Sequence, residues 1–188
     1  MEKLSIEQFK KMLAKAAFNI EAAKDELTEL DSQIGDGDHG TTMVKVMNKI
    51  SGTAEAYSGN DFKTLLSEIG MSVLNMGGGA TVPLFGSLFS GMSRAVAEGM
   101  EQLSKDELSE AFKSGEARLL KFSKAPLGAK TLVDSLTPAV AAFDAFEGCD
   151  IADALEAARL AAHEGSMKTK DYVAHFGRAK NLGERDIG

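Results

Sequence analysis

Apolar residues in this chain recur at three- and four-residue spacing, and its β-branched residues do not gather into alternating runs. A half-buried strand needs a period of two, so this pattern selects helices. The clearest case opens at Ser5-Ile6-Glu7-Gln8, a capping box in which Ser5 caps a helix and Gln8 reaches back. Phe9, Met12, Leu13, Ala16, Ala17 and Ile20 follow on one face, predicting a first helix to about Leu27. A second is expected from near Gly40, carrying Met43, Val44, Met47 and Ile50 inward. Asn60 or Asp61 caps a third, with Leu65, Leu66, Ile69 and Val73 on its core face. Pro83 suits the first turn of a fourth, where its missing N–H has no helical partner to lose. Ser104-Lys105-Asp106-Glu107 is a second capping box and opens a fifth. A sixth is expected over 130–146, a seventh from Asp150 or Asp153 through Leu155, Ala158 and Leu160, and an eighth from His163 to about Tyr172. The abundance of Ala, Leu, Met, Lys and Glu, all good helix formers, agrees with an all-α chain.

At 188 residues with no internal repeat or low-complexity linker, the sequence reads as one domain over 1–188. Its 28 acidic and 21 basic residues give a net charge of -7, and no basic stripe offers a footprint for nucleic acid. A single cysteine, Cys149, excludes an internal disulfide framework and a multi-thiolate zinc site, and reads as a packing residue. No apolar run approaches the ~20 residues that span a bilayer. The opening Met1-Glu2-Lys3-Leu4 lacks the basic and apolar regions of a signal peptide, so the expected compartment is the cytoplasm.

Leu30-Asp31-Ser32-Gln33-Ile34-Gly35-Asp36-Gly37-Asp38-His39-Gly40 places three aspartates within eight residues, interleaved with glycines. Glycine permits positive φ, so the segment can curl and turn Asp36 and Asp38 toward one point, with Asp31 joining from one turn before. Three carboxylates there repel one another unless a cation lies between them. Hard divalent ions such as Mg²⁺ prefer such oxygen ligands, and with few protein ligands they keep positions open for substrate phosphates. The helix expected to begin beside them adds N–H donors and a positive dipole end, which suits a phosphate. The bland alternative is a solvated turn with a helix cap. An EF-hand does not fit, because its ligand spacing and terminal glutamate are absent.

A second cluster, Asn75-Met76-Gly77-Gly78-Gly79-Ala80-Thr81-Val82-Pro83-Leu84, joins two expected helices. It lacks the Lys-Ser/Thr of a P-loop and the preceding strand of a dinucleotide fold. Its glycines permit close approach of backbone to a ligand, or simply a flexible connection.

Together these segments resemble the nucleotide-binding L subunit family of dihydroxyacetone kinases. The matching stretches are Leu30-Asp31 through Gly40, Gly78-Gly79-Ala80-Thr81-Val82-Pro83-Leu84, Gly128-Ala129-Lys130-Thr131-Leu132-Val133-Asp134 with Pro138 beyond, and Gly177-Arg178-Ala179 through Gly183-Glu184-Arg185-Asp186-Ile187-Gly188. The resemblance implies a closed barrel of about eight antiparallel helices with the nucleotide at one end. It implies two Mg²⁺ ions on Asp31, Asp36 and Asp38, bridging to ADP or ATP. It places His39, Gly40, Thr41, Thr42, Gly79, Ala80, Thr81, Ser123, Leu132 and Arg178 around the nucleotide, with Arg178 as a charge partner of phosphate. No residue here is implied as a nucleophile, and His39 reads as a phosphate-loop residue rather than a phosphohistidine. The implied partners are a dihydroxyacetone-binding K subunit and an M subunit of the phosphotransferase type that rephosphorylates the bound ADP. A homodimer is an allowed assembly.

The pattern departs from the family at several points. Thr81-Val82 stands for Ser-Gly, and valine resists the positive φ that glycine allows. Thr42 stands for Asn and Ala129 for Asp, while the family continues past the last residue here with an Asp-Pro-Gly segment that helps close over the nucleotide. These departures allow a divergent paralogue acting on another short ketose, or a regulatory binding module that does not transfer phosphate.

Overall fold

The computed structural model describes residues 1–177 and 180. A short strand β1 (Lys3–Ser5) leads into α1 (Ile6–Ala22), followed by α2 (Lys24–Ser32), α3 (His39–Ala56), α4 (Phe62–Leu74) and α5 (Thr81–Ala95). Strand β2 (Gln102–Ser104) leads into α6 (Lys105–Ser123), then α7 (Val133–Ala145), α8 (Ile151–Lys168) and a 3₁₀ turn over Thr169–Asp171.

The two strands pair antiparallel, setting Leu4 opposite Leu103, and both leucines are fully buried. Each strand runs directly into a capped helix. Ser5 and Ser104 both accept the N–H three residues on, while Gln8 and Glu107 accept the N–H of the capping serine. The pairing was not legible in the sequence, because three residues are too few to show alternation.

The expected first helix is two helices. The helix is interrupted at Ala23 (φ −90°, ψ 3°), whose N–H still reaches Asn19 O, and α2 begins at Lys24. The expected seventh and eighth helices are instead one continuous α8. The start expected near residue 130 falls at Val133, because Lys130 takes a left-handed conformation (φ 58°). Asp61 caps α4 through the N–H groups of Lys63 and Thr64. Val82 lies inside α5, buried, and the positive φ values fall on Gly77 and Gly78, so valine at 82 meets no strain.

Packing follows chain order. α1 and α2 lie on α3, and α3 to α8 pack each on the next. Local contacts set the directions: Lys10 Nζ of α1 donates to Tyr57 O just past α3, Gly86 of α5 meets Leu74 of α4, Thr137 of α7 donates to Glu116 of α6, and Ser135 of α7 donates to Ala162 O of α8. Neighbours therefore run antiparallel. These contacts define a succession of helices, and ring closure stays an expectation of the resemblance. Phe62, Leu65, Leu66 and Ile69 of α4 and Ile50 of α3 are fully buried in the main core, as the helical spacing predicts. A smaller cluster joins Leu119, Ala125, Ala129 and Val133, with Leu84 and Phe176 packed against it.

Because neighbours alternate in direction, segment 33–38, the glycine cluster, the α6–α7 connection 124–132 and the 3₁₀ turn after α8 share one end of the molecule. The β1–β2 pair and the connections 57–61 and 146–150 share the other.

Candidate functional site

The acidic segment is built by the meeting of α2 and α3. Gly40, in the first turn of α3, is buried so closely against α2 that a Cβ there would lie 2.1 Å from Lys24 O and 2.4 Å from Thr28 Oγ1. This contact seats the first half of α2 on the first turn of α3, and Asp31, one turn past Thr28, follows beside that turn. Gly37 supplies the tight turn between the two helices with φ 72°. At Gly35 a Cβ would lie 2.2 Å from Asp31 Oδ1, so only glycine leaves room for that carboxylate.

Asp31, Asp36 and Asp38 each offer a carboxylate oxygen, and these oxygens lie within 4.8 Å of one another. The helix cap is made, but not by the aspartate at the cap position. Asp38 occupies the N-cap of α3 but its side chain makes no cap bond. Asp31 does that work from a distance: its Oδ2 accepts the N–H groups of Asp38 (2.9 Å) and His39 (3.2 Å). Asp31 is half-buried, while Asp36 and Asp38 are exposed. At such a separation each pair of charges repels by about 1 kcal/mol even at water's dielectric constant, and more where water is displaced. The donor set is all oxygen and all anionic, which fits a hard divalent cation.

The other expected site residues fall as follows. His39 is exposed on the first residue of α3, and Thr41 and Thr42 are half-buried in its first turn. Gly79 and Ala80 are exposed, with open space where a Cβ of Gly79 would point, and Thr81 opens α5. Ser123 ends α6, and its Oγ accepts the Ala125 N–H. Leu132 is the exposed N-cap residue of α7. All of these sit at the shared end of the molecule. Arg178 lies outside the described residues.

One residue at this end was quoted only as part of a motif. Asp134, 3% exposed in the first turn of α7, takes the N–H of Gly128 on Oδ1 (2.5 Å) and that of Thr131 on Oδ2 (2.7 Å). An aspartate three residues after a threonine at a helix start was the available signal, but its reach back to residue 128 is visible only in three dimensions.

A helical scaffold thus brings a carboxylate triad at a helix start and a glycine-rich connection to the same end, donor types suited to a divalent cation and to a phosphate. The DAK2 domain family matches the chain over residues 33–188. The chain is 35% identical over 164 residues to the PEP-dependent dihydroxyacetone kinase, ADP-binding subunit DhaL, of Escherichia coli (strain K12), covering 86% of this chain and 78% of that protein. It is 38% identical over 173 residues to the corresponding subunit of dihydroxyacetone kinase 2 of Listeria innocua, covering 90% of this chain and 79% of that one. The fold is similar to the crystal structure of the dihydroxyacetone kinase from C. freundii in complex with AMP-PNP and Mg²⁺, with a TM-score of 0.72 and 22% identity over 93% of this chain and 30% of that one. The chain belongs to the DAK2 domain family. Among the described residues no helix is long and apolar enough to cross a membrane.

Proposed function

We propose that this chain is the nucleotide-carrying subunit of a dihydroxyacetone kinase, one domain over 1–188 that acts in the cytoplasm. The observation that carries the reading is the gathering of Asp31, Asp36 and Asp38 at the start of α3, in a chain whose relatives are named as ADP-binding subunits. In this reading the three carboxylates hold two Mg²⁺ ions, which when bound neutralise charge on the nucleotide phosphates and the transferred phosphoryl group. Asp31 does two jobs, since the oxygen that accepts the Asp38 and His39 N–H groups also fixes the first turn of α3. That turn, His39 to Thr42, faces phosphate with N–H donors and hydroxyls. Gly79, Ala80 and Thr81 bring backbone close to the nucleotide, and Ser123 and Leu132 stand beside its nucleoside part. Arg178 pairs with phosphate charge.

No side chain here serves as a nucleophile. The chain's contribution is positioning and electrostatic, as phosphoryl transfer requires. The acceptor hydroxyl belongs to a K-type partner that binds dihydroxyacetone. An M-type partner of the phosphoenolpyruvate phosphotransferase system restores the phosphoryl group on the bound ADP. Because the acceptor is held by the partner, another short ketose fits the same machinery. The test is reconstitution: the chain, a K subunit and an M subunit with its phosphoenolpyruvate-driven donors should convert dihydroxyacetone to its phosphate. Omitting the chain, or supplying it as Asp36→Ala, should abolish product. Product formation that is indifferent to the substitution refutes the assignment.

A further inference from the structure

The α6–α7 connection, residues 124–132, is an unlikely shape for its sequence. Lys124 (φ 56°) and Lys130 (φ 58°) both take the left-handed region, which non-glycine residues enter rarely and at a cost. Lys124 is held as the C-cap of α6 by its N–H on Leu120 O, and one carboxylate ties the second half of the connection, from Gly128 to Thr131. Asp134 gives one oxygen to the Gly128 N–H and the other to the Thr131 N–H, so both are spent on this connection and neither caps its own helix. Asp134 is itself clamped. Pro138 has no N–H to offer the Asp134 carbonyl, and Gly165 of α8 approaches that oxygen so closely that a Cβ there would lie 2.1 Å from it. On its inner side the connection seats Ala125 and Ala129 against Leu119, with Leu84 from the first turn after the glycine cluster. On its outer side it displays Leu127 and Leu132, 58% and 39% exposed.

We infer that Asp134 is a positioning residue that shapes this connection into an apolar wall for the nucleoside part of the bound nucleotide. It thereby sets affinity for the nucleoside, while the aspartate triad sets affinity for metal and phosphate. The inference rests on the nucleotide reading above.

The probes are Mg-ADP and Mg-pyrophosphate, titrated calorimetrically into the parent chain, Asp134→Asn and Asp134→Ala. Asparagine is nearly isosteric and keeps one acceptor, so it preserves the fold if alanine does not. The substitution turns an N–H acceptor into a donor facing a donor, so Mg-ADP should bind about tenfold or more weakly while pyrophosphate changes by less than about twofold. Hydrogen exchange should show the Gly128 and Thr131 amides losing protection. A core variant of matched thermal stability, Phe143→Leu, should keep both affinities. Asp134→Asn binding Mg-ADP as well as the parent, or losing both ligands alike, overturns the inference and leaves the nucleotide reading standing. A parent that binds neither ligand, or only pyrophosphate, overturns both.

Discussion

Two glycines in α3 should respond to alanine in opposite directions. Gly40 is buried where a Cβ would lie 2.1 Å from the Lys24 carbonyl oxygen and 2.4 Å from Thr28 Oγ1. Ordinary contact needs more than 3 Å, so α2 must retreat by about 1 Å, and the nearest atom is main chain, which does not swing aside. Overpacking of this kind costs about 1–3 kcal/mol. The gain from replacing a helical glycine, at most about 1 kcal/mol, recovers part of it. Gly40→Ala should therefore lose about 1–2 kcal/mol, which in a chain of this size lowers Tm by roughly 2–8 °C. Gly52 lies in the same helix with nothing within 4 Å of its would-be Cβ, so Gly52→Ala should gain about 0.5–1 kcal/mol. Circular dichroism melts of the two variants against the parent measure both. The larger consequence for Gly40→Ala is functional. Moving α2 by about 1 Å separates Asp31 from Asp36 and Asp38, and Mg²⁺ demands near-ideal ligand distances of about 2.0–2.1 Å. Mg²⁺ affinity, measured by calorimetry, should fall in Gly40→Ala and hold in Gly52→Ala. A Gly40→Ala protein that melts at or above the parent temperature with its Mg²⁺ affinity intact refutes the reasoning.

Other expectations follow from the same geometry. Gly165→Ala should destabilise by about 1–3 kcal/mol in urea titrations, because its Cβ would meet the Asp134 carbonyl oxygen at 2.1 Å; an unchanged midpoint contradicts that packing. Asp61→Ala removes the cap of α4 and should cost about 1 kcal/mol at pH 7. Burial opposes the Asp61 charge, but bonds from the Thr64 hydroxyl and the N–H groups of Thr64, Gly99 and Lys63 outweigh it, so its pKa falls below the ordinary 3.8. A carboxylate lowered on folding contributes fully above its unfolded value and loses that contribution as pH falls through the folded one. The stability gap between parent and Asp61→Ala should therefore be complete at neutral pH and shrink below 3.8; a gap that grows in acid contradicts the assignment.

The sequence carried the helical class because capping boxes and apolar spacing are local. Ser5, Asp61, Ser104 and Asp150 all cap helices in the fold. The interruption at Ala23 was not legible, since neither glycine nor proline marks it; the residue just past it, Lys24, packs its carbonyl on Gly40. The division expected within α8 had no breaker behind it, and the chain simply continues. The aspartate triad was legible because its spacing and glycines state the chemistry directly. The cap on α3 was not. A turn reading gives the N-cap residue Asp38 that job, yet the fold assigns it to Asp31, seven residues earlier. Lys124 and Lys130 hid their left-handed geometry because lysine does not advertise it, and the Asp134 carboxylate that ties Gly128 to Thr131 around Lys130 lies four residues further on.

The central claim is that the carboxylates of Asp31, Asp36 and Asp38 bind a nucleotide through divalent metal. Calorimetric titration of ADP into the nucleotide-free chain, with Mg²⁺ and then with excess chelator, tests it most directly. Saturable binding in Mg²⁺ should vanish on chelation and in Asp36→Ala, with the variant's circular dichroism unchanged. Binding that survives chelation and the substitution, or a folded parent that takes up no ADP in Mg²⁺, contradicts the claim.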